Sequence, residues 1–167
     1  RYAYCWPRDA VFITRAMDIL KMNKETEKFY KNFCQKTQSK NGMWEQRFFT
    51  DGKLAPCWGY QVDETASVIY GIYVHYKYTK NEKFVKENLK MCEKAIEFLK
   101  KYVKQWLQIE DFEKDVVKKE IEQSVYAKKE KIHISYDLWE MSEGIHLYSL
   151  SSIYAAFESM IKIYGLL

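Results

Sequence analysis

The chain alternates two kinds of helical segment, and that alternation limits the folds open to it. Of five runs, the first (about 9–22), the third (about 63–78) and the fifth (from about 150) are apolar on nearly every side. The first carries Val11, Phe12, Ile13, Ala16, Met17, Ile19 and Leu20, and the third carries Val68, Ile69, Ile72, Tyr73 and Val74. Ile153, Tyr154, Phe157, Met160, Ile161 and Ile163 do the same for the fifth. The second run (about 24–38) is lysine-rich with a narrow stripe of Phe29, Phe33 and Cys34. The fourth (about 81–103) places Val85, Leu89, Cys92, Ile96, Leu99 and Val103 at alternating steps of four and three. A helix that is apolar all round must be covered on most sides, whereas a single stripe leaves the other face to water. Two layers joined as helical hairpins are therefore expected, with the first, third and fifth runs inside.

With 2 prolines and 6 glycines in 167 residues there is little material for tight hairpins, so the chain reads as all-α. An α/α toroid arranges helices in this inner and outer way, and no repeat of solenoid length competes with it. The region near Asp51-Gly52 is the expected exception, a short hairpin around a common turn pair. The charged stretch at about 104–131 reads as an insertion or extra outer helix. A hydrophobic content of 47% supplies one domain with a real core over residues 1–167. Arg1 is not a natural start, so an excised or incomplete domain is expected, and localisation stays open.

Several functions are disfavoured. Net charge is +4, from 27 basic and 23 acidic side chains that are intermixed, which is a solvated surface and no nucleic-acid stripe. No run approaches the ~18 apolar residues of a membrane span. Cys5, Cys34, Cys57 and Cys92 form no C-x-x-C pair, and the 3 histidines are not placed to complete a zinc site. The cysteines read as free thiols, His75 as a core histidine, and no metal or cofactor is called for.

What remains is a set of acids accompanied by tryptophans. Trp6 stands beside Arg8-Asp9, Trp58 precedes Gln61-Val-Asp63-Glu64-Thr65, and Trp139 adjoins Glu140 within Tyr136-Asp-Leu-Trp-Glu140. Each acid has a plain reading as a helix cap, and Asp137 with Glu140 even fits a capping box. Capping does not explain the tryptophans. A carboxylate beside an indole face suits sugar chemistry, since the acid handles protons and hydroxyls while the ring covers the apolar side of a pyranose. All three acidic motifs precede or open inner helices, so a toroid would gather them at one end of its axis. Arg8, held after Pro7, is expected to donate paired hydrogen bonds to hydroxyls. His146, close to the motif, is a further candidate for reaching the site.

Trp6-Pro-Arg-Asp9, Gln61-x-Asp-Glu-Thr65 and Asp137-Leu-Trp-Glu140, in that order, resemble the glucoamylase-type glycoside hydrolases of family 15. The resemblance runs over essentially the whole chain and implies an (α/α)6 toroid, of which about half would be present. It implies hydrolysis of α-glucosidic bonds from the non-reducing end with inversion, acting on an α-glucan or gluco-oligosaccharide. Glu140 would be the general acid, Arg8 and Asp9 would hold hydroxyls, and Trp58 would line the substrate funnel. Trp6, Asp63, Glu64 and Trp139 complete the expected binding set. Met141 stands where many members have a second glutamate. The general base would lie in a later motif that this chain does not contain, so the chain alone is expected to be inactive.

Trehalase or glucodextranase specificity stays open within the same resemblance. A non-catalytic carbohydrate-sensing module of this fold is the rival from another class, and a helical scaffold with incidental tryptophans is a third. A half toroid would also expose inner-helix surface, from which self-association through that face is expected.

Overall fold

The computed structural model describes residues 3–57, 59–107 and 135–167, without side chains for 105–107. Trp58, the side chain of Trp106 and nearly all of the expected insertion at 104–131 lie outside the described residues. The architecture is mostly helical: α1 (Pro7–Ile19), α2 (Asn23–Lys28), α3 (Gln35–Thr37), α4 (Val62–Thr79), α5 (Glu82–Leu107) and α6 (Leu147–Tyr164). A π-helical stretch, Phe29–Cys34, joins α2 to α3, so the second run is one rod with a widened middle. Tyr30, in that middle, is wholly buried, and its hydroxyl lies 3.2 Å from Thr14 Oγ1 of α1.

Helix α4 is the centre of the molecule. Nearly every residue from Val62 to Ile72 is buried, as a run apolar all round requires. Helices α1 and α6 flank it, with α5 packed behind α4 and in contact with α6. The hand-over from α4 to α5 is tight. Lys80 closes α4 in the left-handed region at φ 56°, and Asn81 Oδ1 then accepts the Phe84 N–H at 3.1 Å as the cap of α5. The stripe of α5 faces the core, where Val85, Cys92, Ile96 and Leu99 are all buried.

Two sequence expectations are corrected. The first and fifth runs are not covered all round: α1 leaves Phe12, Ile13, Ile19 and Leu20 exposed, and α6 leaves Leu147, Leu150, Tyr154, Ile161 and Tyr164 exposed. Among the described residues α4 alone packs against both α1 and α6, and each of those two helices keeps an exposed apolar flank. Strand structure is also not confined to the region near Asp51. Strand β1 (Tyr4–Cys5) pairs antiparallel with β2 (Phe48–Phe49), and Gly52, at φ 86°, turns the chain back so that Phe48 bridges Leu54. A second antiparallel pair, β3 (Ser135–Tyr136) with β4 (Glu143–Gly144), carries the Asp137–Glu140 motif on its connection.

Two of the buried polar side chains have specific partners. His75 is fully buried, its Nδ1 2.9 Å from both carboxylate oxygens of Asp18. Trp44 is also fully buried and donates its indole N–H to the Cys34 carbonyl at 3.1 Å. All four cysteines are free.

Candidate active site

The first motif is shaped by its neighbours on both sides. Pairing of β1 with β2 fixes the entry to α1, Trp6 is the extended N-cap residue, and Pro7 sets the first helical φ. Arg8 then falls in the first turn, buried and pointing at the start of α4. Its Nη1 lies 2.8 Å from Asp63 Oδ2 and 3.1 Å from Glu64 Oε1, while its Nε lies 3.1 Å from Asp9 Oδ1. Its backbone N–H also donates to Glu64 Oε2 at 2.6 Å. Two carboxyls in the first turn of α4 gain from the helix dipole as well as from the guanidinium.

Asp63 and Glu64 therefore do not line the open cleft. Both are fully buried beneath Arg8. Burial pushes the Glu64 carboxyl well above its ordinary range, with Arg8 pulling the other way and Asp63 adding to the rise. Asp63 is also raised by burial, against the pull of the nearer Arg8 nitrogen. Desolvation alone would lower the Arg8 pKa, but Glu64 and Asp63 overcome it and hold the guanidinium charged. One cation cannot neutralise two buried carboxylates, so the proton is retained more readily here than on isolated acids, above all by Glu64.

The second motif is docked onto the entrance of α4. Tyr136 N–H donates to the Tyr60 carbonyl at 2.7 Å, Gln61 Nε2 donates to the Asp137 carbonyl at 2.7 Å, and Val62 N–H donates to Ser135 Oγ at 3.1 Å. The motif is thus a hairpin connection and not a helix mouth, because α6 begins only at Leu147. The capping readings also fall away. Trp6, Gln61 and His146 occupy the N-cap positions of α1, α4 and α6, and none makes a side-chain cap bond.

Docking brings the two motifs together around a cleft of about 750 Å³ whose walls include Trp6, Arg8, Asp9, Trp139 and Glu140. Trp6 Nε1 donates to Glu140 Oε1 at 3.3 Å. Phe12, Ile13, Leu138 and Tyr148 add to the lining. His146 lies elsewhere, beside Val62 and Ile153 on a smaller apolar pocket of about 220 Å³.

Tyr148 was not legible as a site residue. It stands in the first turn of α6, and its phenol is raised by burial and by the Asp63 charge, so it offers the cleft a neutral hydroxyl. Nothing in its sequence neighbourhood signals this, since its placement depends on how α6 packs against α4. Arg47 was missed in the same way, and its guanidinium lies 5.1 Å from the Tyr4 ring and 5.7 Å from the Trp6 ring. Cys5 also lines the cleft, but burial, Glu64 and Asp9 push its thiol up to about 11, so it is no thiolate nucleophile near neutral pH. Among the described residues no group of histidines, cysteines or carboxylates is placed to hold a metal, and no helix is long and apolar enough to cross a membrane.

The arrangement presents one carboxyl, Glu140, with an indole donor at its side, and a second carboxylate, Asp9, tethered by a buried arginine. Indole faces and a neutral phenol complete the walls. Such a cleft can take a polyhydroxylated ligand with one apolar face and deliver a proton to it. No family model matches the chain, and no solved structure matches it. A curated relative does: over 154 residues, 92% of this chain, it is 25% identical to an uncharacterized glycosyl hydrolase of Methanocaldococcus jannaschii, and the chain spans 20% of that protein's length.

Proposed function

We propose that this chain is part of the catalytic domain of a glucoamylase-like glycoside hydrolase acting on α-glucosidic bonds. The observation that carries the reading is the convergence of Trp6, Arg8 and Asp9 with Trp139 and Glu140 on one cleft, from motifs about 130 residues apart. The similarity to a protein named as a glycosyl hydrolase supports the general class. The row α1–α4–α6, with outer helices behind it, supports an arc of an (α/α)6 toroid. The rest of that ring would come from elsewhere in a longer polypeptide.

In this reading Glu140 protonates the leaving oxygen. Arg8 and Asp9 hold hydroxyls of the non-reducing-end sugar, and Trp6 and Trp139 form apolar walls. Asp63 and Glu64 serve the pocket from beneath by holding Arg8 in place. Inversion needs a second, ionised carboxylate ~6.5–9.5 Å from the acid with water between them, and that base is assigned to the remainder of the polypeptide. The substrate is an α-glucan or gluco-oligosaccharide.

The test is Glu140→Gln in the intact polypeptide, which keeps shape and removes the transferable proton. Loss of general-acid catalysis costs roughly 10²–10⁴-fold on a poor leaving group such as the second glucose of maltose. A nitrophenyl glucoside, whose leaving group needs little protonation, should lose much less. A small and equal loss on both substrates would move the cleft to the carbohydrate-sensing reading.

A further inference from the structure

Glu140 adopts φ 60°, in the left-handed region that non-glycine residues rarely enter. Unlike asparagine or aspartate, glutamate has no short polar side chain to stabilise that conformation locally, so its surroundings must hold it. Those surroundings converge on one side chain. Asp137 Oδ1 accepts the N–H of Met141 at 2.6 Å and of Ser142 at 2.9 Å, and Oδ2 accepts that of Trp139 at 3.4 Å. Its main chain closes the same turn, with its N–H donating to the Ser142 carbonyl at 2.9 Å and its carbonyl accepting the Glu140 N–H at 3.0 Å. The backbone on each side of Glu140 is therefore captured by a single carboxylate. The main chain of Asp137 is anchored in turn to the N-cap of α4, where Gln61 Nε2 donates to the Asp137 carbonyl.

We propose that Asp137 is the positioning residue for Glu140: its carboxylate gathers the flanking amides, holds Glu140 in the left-handed conformation and so aims its carboxyl into the cleft beside Trp6. The inference rests on the glycosidase reading above. Asp137 does not line the cleft. The amides it binds keep its carboxyl below the ordinary aspartate range, so it remains an ionised acceptor under mildly acidic conditions. Because it acts within a surface hairpin, its removal should misplace the acid without unfolding the core.

The test compares wild type, Asp137→Ala, Asp137→Asn and Glu140→Gln in the intact polypeptide, on maltose and on 4-nitrophenyl α-glucoside, with melting followed in parallel. Misplacement of a reacting group by about 1 Å can cost about 100-fold, so Asp137→Ala should lose roughly 10–100-fold in kcat on maltose. It should lose several-fold less on the nitrophenyl substrate, with melting close to wild type. Asp137→Asn retains a neutral acceptor, weaker than a carboxylate, and should fall between wild type and alanine. If the alanine variant does not fold, the same leaving-group dependence in the asparagine variant decides.

Equal losses on both substrates, or a near wild-type rate on maltose, would overturn the positioning role. If Glu140→Gln shows leaving-group dependence and the Asp137 variants do not, only this inference falls. If Glu140→Gln shows none, or the intact polypeptide hydrolyses neither substrate, the glycosidase reading and this inference fall together.

Discussion

Trp6 and Glu140 meet through a 3.3 Å hydrogen bond from indole N–H to carboxylate oxygen, although 134 positions separate them in the chain. The bond joins the mouth of α1 to the β3–β4 hairpin, and it gives Trp6 two separable functions. The ring is a wall and the N–H is a tether.

Trp6→Phe keeps the wall and removes the tether. An ordinary hydrogen bond contributes about 0.5–1.5 kcal/mol, so a loss of several-fold to about tenfold in kcat is expected with KM nearly unchanged. Trp6→Ala should raise KM as well. Steady-state kinetics of the two variants separate the roles, and a phenylalanine variant with full activity would mean that the tether is dispensable.

Glu64→Gln should change how stability depends on pH. Because the folded-state pKa of Glu64 is raised, its contribution to stability is fully present below the unfolded carboxyl pKa of about 4.3 and is lost as pH rises through the folded value. Glutamine carries no such dependence and can still accept the Arg8 N–H. The stability difference, glutamine minus wild type, should therefore grow as pH rises from about 4 and level off above the folded pKa. Urea melts across that range check this, and a difference that shrinks with rising pH would contradict the assignment.

Gly59 leaves room for the hairpin that carries the acid. A Cβ at this position would lie 2.3 Å from Cδ2 of Tyr136, so Gly59→Ala must displace the Tyr136 ring or the strand bearing it. Overpacking of this kind costs about 1–3 kcal/mol where it cannot relax, but a surface hairpin can move. Activity is expected to fall more than melting temperature. A melting loss of several degrees with full residual activity would reverse that order.

The bare flanks of α1 and α6 should govern how the 167-residue chain behaves alone. Ile19, Leu20, Tyr154 and Ile161 are all more than half exposed, and covering such side chains against a partner removes apolar surface from water. Sedimentation should show self-association, together with binding of dyes that sense apolar surface. Serine at Leu20, Tyr154 and Ile161 should shift the chain toward monomer. A wild-type chain that sediments as a clean monomer and binds no dye would show that these flanks need no partner.

Much of the helical layout was legible because periodicity is a local property. The spacing of Val85, Leu89, Cys92, Ile96, Leu99 and Val103 announces one buried face whatever lies against it. The central burial of α4 followed from its run of apolar residues on every side. The same reasoning went too far for α1 and α6. An apolar surface states that cover is needed, and only the positions of other elements decide whether this chain supplies it.

The candidate site divides in the same way. Sequence alone determined which residue types stand side by side: tryptophan with an acid three times, and an arginine stiffened by a proline. Tertiary structure decided which of them share a cleft. Asp63 and Glu64 were indistinguishable in kind from Asp9 until α4 turned them under Arg8, where desolvation makes them supports for its guanidinium. Tyr148 joined the cleft, and Arg47 came to lie against the Tyr4 and Trp6 rings, with no local signal, because their placement comes from helix packing and strand pairing. The left-handed turn at Glu140 was also unreadable in advance. The pattern Asp-x-x-Glu serves a helix cap and an Asx-type hairpin turn equally well, and the choice fell to the bonds that dock the hairpin on Tyr60, Gln61 and Val62.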